Sequence, residues 1–161
     1  MSEINISLRP VQDDDQEFLC EVYCSMRREE IAIVGWDEAQ VNAFLRMQFK
    51  ARRQAYKIQF PSAAYSIIEF GEESVGSLIV ERLAARILLT DITILPKFQR
   101  KGFATQVVRQ LQNESKSKTM PLILHVDKAN LNALNFYKNL GFQITIEMQI
   151  MYEMEWRADA I

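Results

Sequence analysis

The sequence predicts an α/β domain (an α+β mixed sheet): a central mixed, mostly antiparallel sheet of about seven strands with helices on both faces. Three observations carry that expectation. The hydrophobic period switches between strand-like and helical along the chain in the order β-α-α-β-β-β-α-β-α-β-β. One segment, Arg86 to Ile94, is apolar on both faces, as a central strand covered by helices on each side must be. The 161 residues are 48% hydrophobic and 25% charged, with a formal net charge of −2. That mix excludes a disordered chain and fits one domain spanning 1–161, with no repeat or linker to divide it.

Each element follows from a local signal. Ile4, Ile6 and Leu8 alternate with polar neighbours, so Asn5 to Arg9 reads as a half-exposed strand ended by Pro10. The acidic run Asp13-Asp14-Asp15 suits the positive end of a helix, and Phe18, Leu19, Val22, Tyr23 and Met26 follow at helical spacing. A loop through Gly35-Trp36 leads to Asp37, an N-cap for a second, longer helix. The apolar face of that helix includes Val41, Phe44, Leu45 and Phe49, while Lys50, Arg52, Arg53 and Lys57 crowd its C-terminal half.

Beyond Pro61 the period becomes two. Ala64 to Phe70 and Val75 to Glu81 form a hairpin about a Gly71–Ser74 turn, and the both-faces strand Arg86 to Ile94 follows. Gln99 to Ala104 opens a helix carrying Val107, Val108 and Leu111, which the polar run Asn113 to Lys118 is expected to dissolve. Pro121 to Val126 is a buried strand. Asn130 to Leu140 is a helix stopped by Gly141, and Ile144 to Ile146 and Met148 to Trp156 are the last strands.

Composition also bounds function. No apolar stretch approaches the length of a membrane helix, and Met1 to Pro10 lacks the basic-then-apolar pattern of a secretory signal. A pI near 5.5 with scattered basic residues argues against nucleic acid as a partner. Cys20 and Cys24, one helical turn apart, read as reduced core thiols. A cytoplasmic enzyme or binding domain, without a membrane partner, is the expectation.

The segment Ile94 to Thr105 is the most informative. A buried strand ends there, a basic turn follows, and a helix begins within a few residues. The first amides of a helix lack carbonyl partners and suit an anion. Gly102 removes a side chain where backbone must approach a phosphate, Ala104 keeps the next position small, and Arg100 and Lys101 add positive charge. An ordinary strand-to-helix turn with an exposed basic pair explains the same residues. The three glycines of a dinucleotide-binding turn and the P-loop pattern are both absent.

Gln99-Arg100-Lys101-Gly102-Phe103-Ala104 resembles the Q/R-x-x-G-x-G/A acyl-coenzyme A motif of the GNAT-type N-acetyltransferase superfamily. The preceding Asp91-Ile92-Thr93-Ile94-Leu95-Pro96 and the later Asn130, Ala133, Phe136, Tyr137, Gly141 and Phe142 resemble the flanking family elements in the same order. The likeness runs from about Ser62 to Phe142. It implies a domain that binds acetyl-coenzyme A as co-substrate, with no metal. The backbone of Ile92 and Ile94 would lie against the pantetheine arm, and Asn130 would bind the arm further along. Gln99, Arg100, Lys101, Gly102, Phe103, Ala104 and Thr105 would cradle the pyrophosphate.

The same resemblance makes Tyr137 the donor of a proton to the departing thiolate. The stripe Ala133, Leu134, Tyr137 and Leu140 reads equally as core packing. His125, the single histidine, stands at a strand position where some relatives carry a glutamate base, and an imidazole can exchange a proton at neutral pH. A partly buried, hydrogen-bonded histidine without a role is the alternative. Other relatives carry a glutamate on the strand before the phosphate turn. Leu88 occupies that position here, and Asp91, three residues on, is expected on the opposite face.

The implied activity is direct transfer of an acetyl group to a primary amine in a ternary complex. The acceptor would be a small-molecule amine or a peptide N-terminus, and a homodimer is compatible with the apolar Met148 to Trp156 strand. A non-catalytic acyl-coenzyme A sensor and a simple phosphate-binding module would use the same turn. Arg27 to Glu30 and Trp36, expected in or near the loop between the first two helices, would border the acceptor.

Overall fold

The computed structural model describes residues 5–158. Ile4, expected in the first strand, lies outside the described residues. Seven strands form one sheet: β1 Ile6–Pro10, β2 Ala63–Phe70, β3 Glu73–Arg82, β4 Ile87–Ile94, β5 Leu122–Asp127, β6 Gln143–Glu147 and β7 Met151–Trp156. Their spatial order is β1-β2-β3-β4-β5-β7-β6, and only the β4–β5 pair is parallel. Four helices complete the described chain: α1 Gln16–Ala32, α2 Glu38–Gln59, α3 Phe103–Lys118 and α4 Leu131–Asn139.

Two apolar layers hold the helices. The larger packs α3 and α4 on one face through Val107, Val108, Leu111 and Leu134 against Ile87, Leu89, Leu122 and Leu124. On the other side Cys20, Tyr23, Cys24, Ile31 and Leu45 join α1 to α2, and α1 lies over β3 and β4. Asp37 caps α2 by accepting from the Gln40 amide at 2.8 Å, while the Gln40 side chain accepts the Asp37 N–H. Asp15, buried, clasps the Arg9 guanidinium with both carboxylate oxygens at 2.8 Å, which ties the start of α1 to β1 and holds this carboxyl at about 2. Cys20 and Cys24 are free, buried thiols 3.8 Å apart.

The structure corrects three expectations. The turn after β4 is a 3-10 turn over Pro96–Phe98, and α3 starts only at Phe103. Helix α3 does not dissolve at Asn113. Glu114 is held by Arg82 at 2.6 Å and by Lys118 at 2.9 Å, buried Gln112 donates to the Leu140 carbonyl, and the helix runs to a left-handed cap at Thr119. Arg27 to Glu30 stand near the α1–α2 loop, as expected, in the last turns of α1.

The third correction matters most. Ile79 faces Asp91 and Val80 faces Leu89, so Thr90 is an extra residue bulged out of β4. The bulge resets the alternation. Leu89, Ile92 and Ile94 face α3, while Asp91 reaches Arg52 of α2 on the face that Leu88 shares. Beyond this point β4 and β5 part, because their pairing covers only Ile87–Leu89 with Leu122–Leu124. The Asp91–Ile94 edge of β4 is left without a neighbour strand.

Gly76 on β3 keeps that edge in place from the other side. A Cβ there would stand 2.2 Å from the Thr93 carbonyl oxygen and 3.1 Å from the Ile94 Cα, both backbone atoms of β4. Gly76→Ala should therefore lower stability by about 1–3 kcal/mol, the usual cost of overpacking. Urea denaturation checks this, and an unchanged midpoint would show that β4 has slack here.

Candidate active site

The parted strands open a cleft of about 690 Å³, walled by Ile92, Thr93 and Ile94 of β4, the Gly102–Thr105 turn, and Asn132, Ala133, Phe136 and Tyr137 of α4. Its backbone chemistry follows from register. The Leu95 amide donates to the Val75 carbonyl of β3 at 2.9 Å, so the Ile94 N–H, one residue earlier, points to the vacant edge. The Gln99 side chain satisfies the Ile94 carbonyl at 2.9 Å and leaves that N–H free for a ligand.

At the cleft's far end, Arg100 and Gly102 both adopt positive φ, 63° and 88°. Gly102 takes this conformation without strain, whereas Arg100 is a non-glycine residue held in the left-handed region. Together they turn the chain so that α3 begins with its amides facing the cleft. The Gly102 carbonyl accepts the first intrahelical bond from Gln106, leaving the Phe103, Ala104 and Thr105 amides without helical partners. Phe103 anchors the turn by packing on Phe70 and Phe98, with centroids 5.1 and 6.2 Å away. The arrangement offers convergent N–H donors to an oxyanion at the strand end and to phosphates at the helix end.

Tyr137 closes the cleft on the α4 side. Its ring stands edge-on to Phe136 and Phe142, centroids 5.1 and 5.5 Å away. Removal from water, and secondarily the Asp91 charge, push its phenol from the ordinary value of 10 up to about 12. It is thus a neutral O–H donor across the physiological range.

Of the residues expected at the site, the structure brings Ile92, Ile94, Gln99, Arg100, Gly102, Phe103, Ala104, Thr105 and Tyr137 to one cleft. It leaves three outside the lining. Lys101 points to solvent. Asn130 caps α4 by accepting from the Ala133 amide at 3.1 Å, and Asn132 takes the place beside the cleft. His125 sits one residue past the last β4–β5 pair, on the face opposite Leu124 and Val126, with Nε2 3.2 Å from Glu153 Oε1. Sequence reasoning missed Met26, Thr93, Phe98 and Asn132 in the wall, and Arg52 beside Asp91. The alternation of Thr93 with Ile92 and Ile94 was the one signal available for them.

A family model described as "Acetyltransferase (GNAT) family" matches residues 28–142, more than half of the chain. The chain belongs to the GNAT acetyltransferase family. The match starts well before Ser62 and takes in the end of α1 and all of α2. Among solved structures, this acetyltransferase resembles the PaiA N-acetyltransferase of Thermoplasma acidophilum in complex with coenzyme A, with 16% identity, a TM-score of 0.71, and coverage of 95% of this chain and 99% of that one. It also resembles the spermidine N-acetyltransferase of Vibrio cholerae in complex with coenzyme A and spermine, at 18% identity and TM-score 0.65, covering 94% and 95% of the two chains. The N-acetyltransferase PseH of Campylobacter jejuni in complex with acetyl coenzyme A follows at 16% identity and TM-score 0.60, covering 96% and 100%. At these identities the likeness speaks for the fold. No curated protein sequence gives a significant match.

No described helix is long and apolar enough to cross a membrane. Burial beside Cys20 pushes the Cys24 thiol up to about 11, away from nucleophilic use.

The raised Tyr137 pKa has a pH signature. The folded state holds this proton more tightly than the unfolded chain, so the contribution to stability is present below pH 10 and lost as pH rises through about 12. Alkaline difference absorbance of the wild type minus Tyr137→Phe should show one phenol ionising near 12. Ionisation near 10 would place the ring in water.

Proposed function

We propose that this acetyltransferase moves an acetyl group from acetyl-coenzyme A directly to a primary amine in a ternary complex. The observation that carries the reading is the free Ile94 N–H on the unpaired β4 edge, in one cleft with the donor-rich start of α3 and the Tyr137 hydroxyl. The extended pantetheine arm would fill the place β5 vacates, bonding to Ile92 and Ile94 as an added strand does. The amides of Phe103, Ala104 and Thr105, with Arg100 nearby, would hold the pyrophosphate, and Gly102 gives the backbone room to approach it.

The chain's residues then divide the work. The Ile94 N–H polarises the thioester carbonyl and stabilises the negative charge that develops when the amine attacks. Tyr137 donates its proton to the sulfur as the carbon–sulfur bond breaks, because a bare thiolate in a half-dry cleft is costly. His125 stands on the α1–α2 face beside the strand divergence, and we assign it the amine's proton, taken through solvent since it does not line the cleft. Glu153 orients the imidazole and compensates its charge once protonated.

Three variants test this. Gly102→Glu should weaken coenzyme A binding by about tenfold or more, about 1.4 kcal/mol, in calorimetry of the folded protein; unchanged affinity would move the pyrophosphate site elsewhere. Tyr137→Phe should keep coenzyme A affinity while kcat for thiol release falls by about 10²-fold, and a kcat within about twofold would remove it as the proton donor. His125→Gln should leave coenzyme A binding intact and lower kcat/KM at neutral pH by about 10²-fold; a wild-type value would leave solvent alone as the proton acceptor.

A further inference from the structure

We propose that the acceptor is a small amine that also carries a carboxylate, an amino-acid-like molecule whose acid end is held by Arg52 and neighbouring hydroxyl donors between α1, α2 and the sheet. The inference rests on the acetyl-transfer reading above and specifies its acceptor.

Two hollows lie on the α1–α2 side. The outer one, about 300 Å³, is walled by Tyr23, Met26, Arg27, Glu30, Arg52 and Thr93. It shares Met26 and Thr93 with the donor cleft, so an amine placed there borders the reacting end. The inner one, about 60 Å³, shares Tyr23, Arg52 and Thr93 with the outer hollow and runs on to Tyr56, Tyr65 and Asp91. A water-sized group needs only about 10–15 Å³ of such space, so the inner recess, the smaller of the two, has room for a carboxylate.

The chemistry of the recess selects an anion. The Arg52 guanidinium lies over the rings of Tyr23 and Tyr56, 5.4 and 4.8 Å from their centroids, which fixes its plane. Nη2 alone is engaged, donating to Tyr56 Oη at 2.9 Å and to Asp91 Oδ1 at 3.3 Å. Its Nε and Nη1 have no partner among the described residues; they lie on opposite sides of the guanidinium and do not form a fork, but each is a charged N–H donor for one carboxylate oxygen. Tyr56 Oη accepts from Arg52 and so keeps its own proton to give. Tyr65 Oη is shut off from water and has no partner, leaving a second hydroxyl unused.

Acceptor atoms are scarce by comparison. Asp91, the recess carboxylate, already accepts from Arg52 and from Thr93 Oγ1 at 3.3 Å. In the outer hollow Glu30 pairs with Arg27 at 3.1 Å. Arg53, over the Tyr65 ring at 5.7 Å, has no carboxylate partner among the described residues, so the balance is three arginines against two carboxylates. A polycation would leave these donors unsatisfied and meet like charge. A carboxylate satisfies both.

The test is acetyl-coenzyme A thiol release with amino acids and ω-amino carboxylates, each beside its carboxamide, and with spermidine. The best carboxylate acceptor should exceed its amide in kcat/KM by about tenfold or more, the scale of a charge-assisted hydrogen bond. Tyr65→Phe, which deletes only the unused hydroxyl, should cut that ratio severalfold, and Arg52→Gln should bring it near one with the KM for acetyl-coenzyme A unchanged. Equal use of the amides, or preference for spermidine, overturns the acceptor class and leaves acetyl transfer standing. If no amine releases thiol, the transfer reading fails instead. Calorimetry with coenzyme A-saturated protein then decides the recess: tighter binding of carboxylate than of amide supports it, and equal binding overturns it.

Discussion

A strand buried in a sheet needs hydrogen-bond partners along both edges, and β4 lacks one edge over its last four residues. The Thr90 bulge and the three-residue pairing with β5 end the ladder at Leu89, while β3 continues to hold the other edge to Ile94. Buried backbone N–H groups without partners are costly, so this edge is stable only if water or a ligand completes it. Most of the site follows from that constraint. The gap sets where an extended ligand can lie, the Pro96–Phe98 turn and the two positive-φ residues carry the chain from the gap to the start of α3, and α4 brings Tyr137 across the opening.

The bulge also divides the site between the two faces. Ile92 and Ile94 pack on the α3 side of the sheet, and the same stretch of backbone turns Asp91 and Thr93 toward α1 and α2. Successive residues of one strand therefore border both the β4-edge cleft and the recess between α1, α2 and the sheet. The Asp91 charge is felt at Tyr137 across the opening, and it adds to desolvation in keeping that phenol protonated. The Tyr137 phenol thus feels the charge of the recess on the far side of the opening.

Much of the fold could be read locally. The strand apolar on both faces, the Asp37 cap, the Gly102 turn and the Gly141 stop are each written in a few adjacent residues, and each stands where the local signal puts it. What escaped depends on partners distant in sequence. The Thr90 bulge is a property of two strands in register, and no pattern within β4 announces it. The full length of α3 depends on Arg82, 32 residues from Glu114. Arg52 meets Asp91 across 39 residues. Asn130 and Asn132 are both short polar residues at a helix start, and only the direction of approach to α4 makes one a cap and the other part of the wall.

Amide hydrogen exchange tests most directly whether the open β4 edge receives the acyl donor. Adding a non-reactive coenzyme A analogue lacking the sulfur should slow exchange at the Ile92 and Ile94 amides together with those of Phe103 to Thr105, leaving β2 and β6 unchanged. Protection confined to the α3 amides would show that phosphates bind while the strand edge stays open. That result would contradict the account.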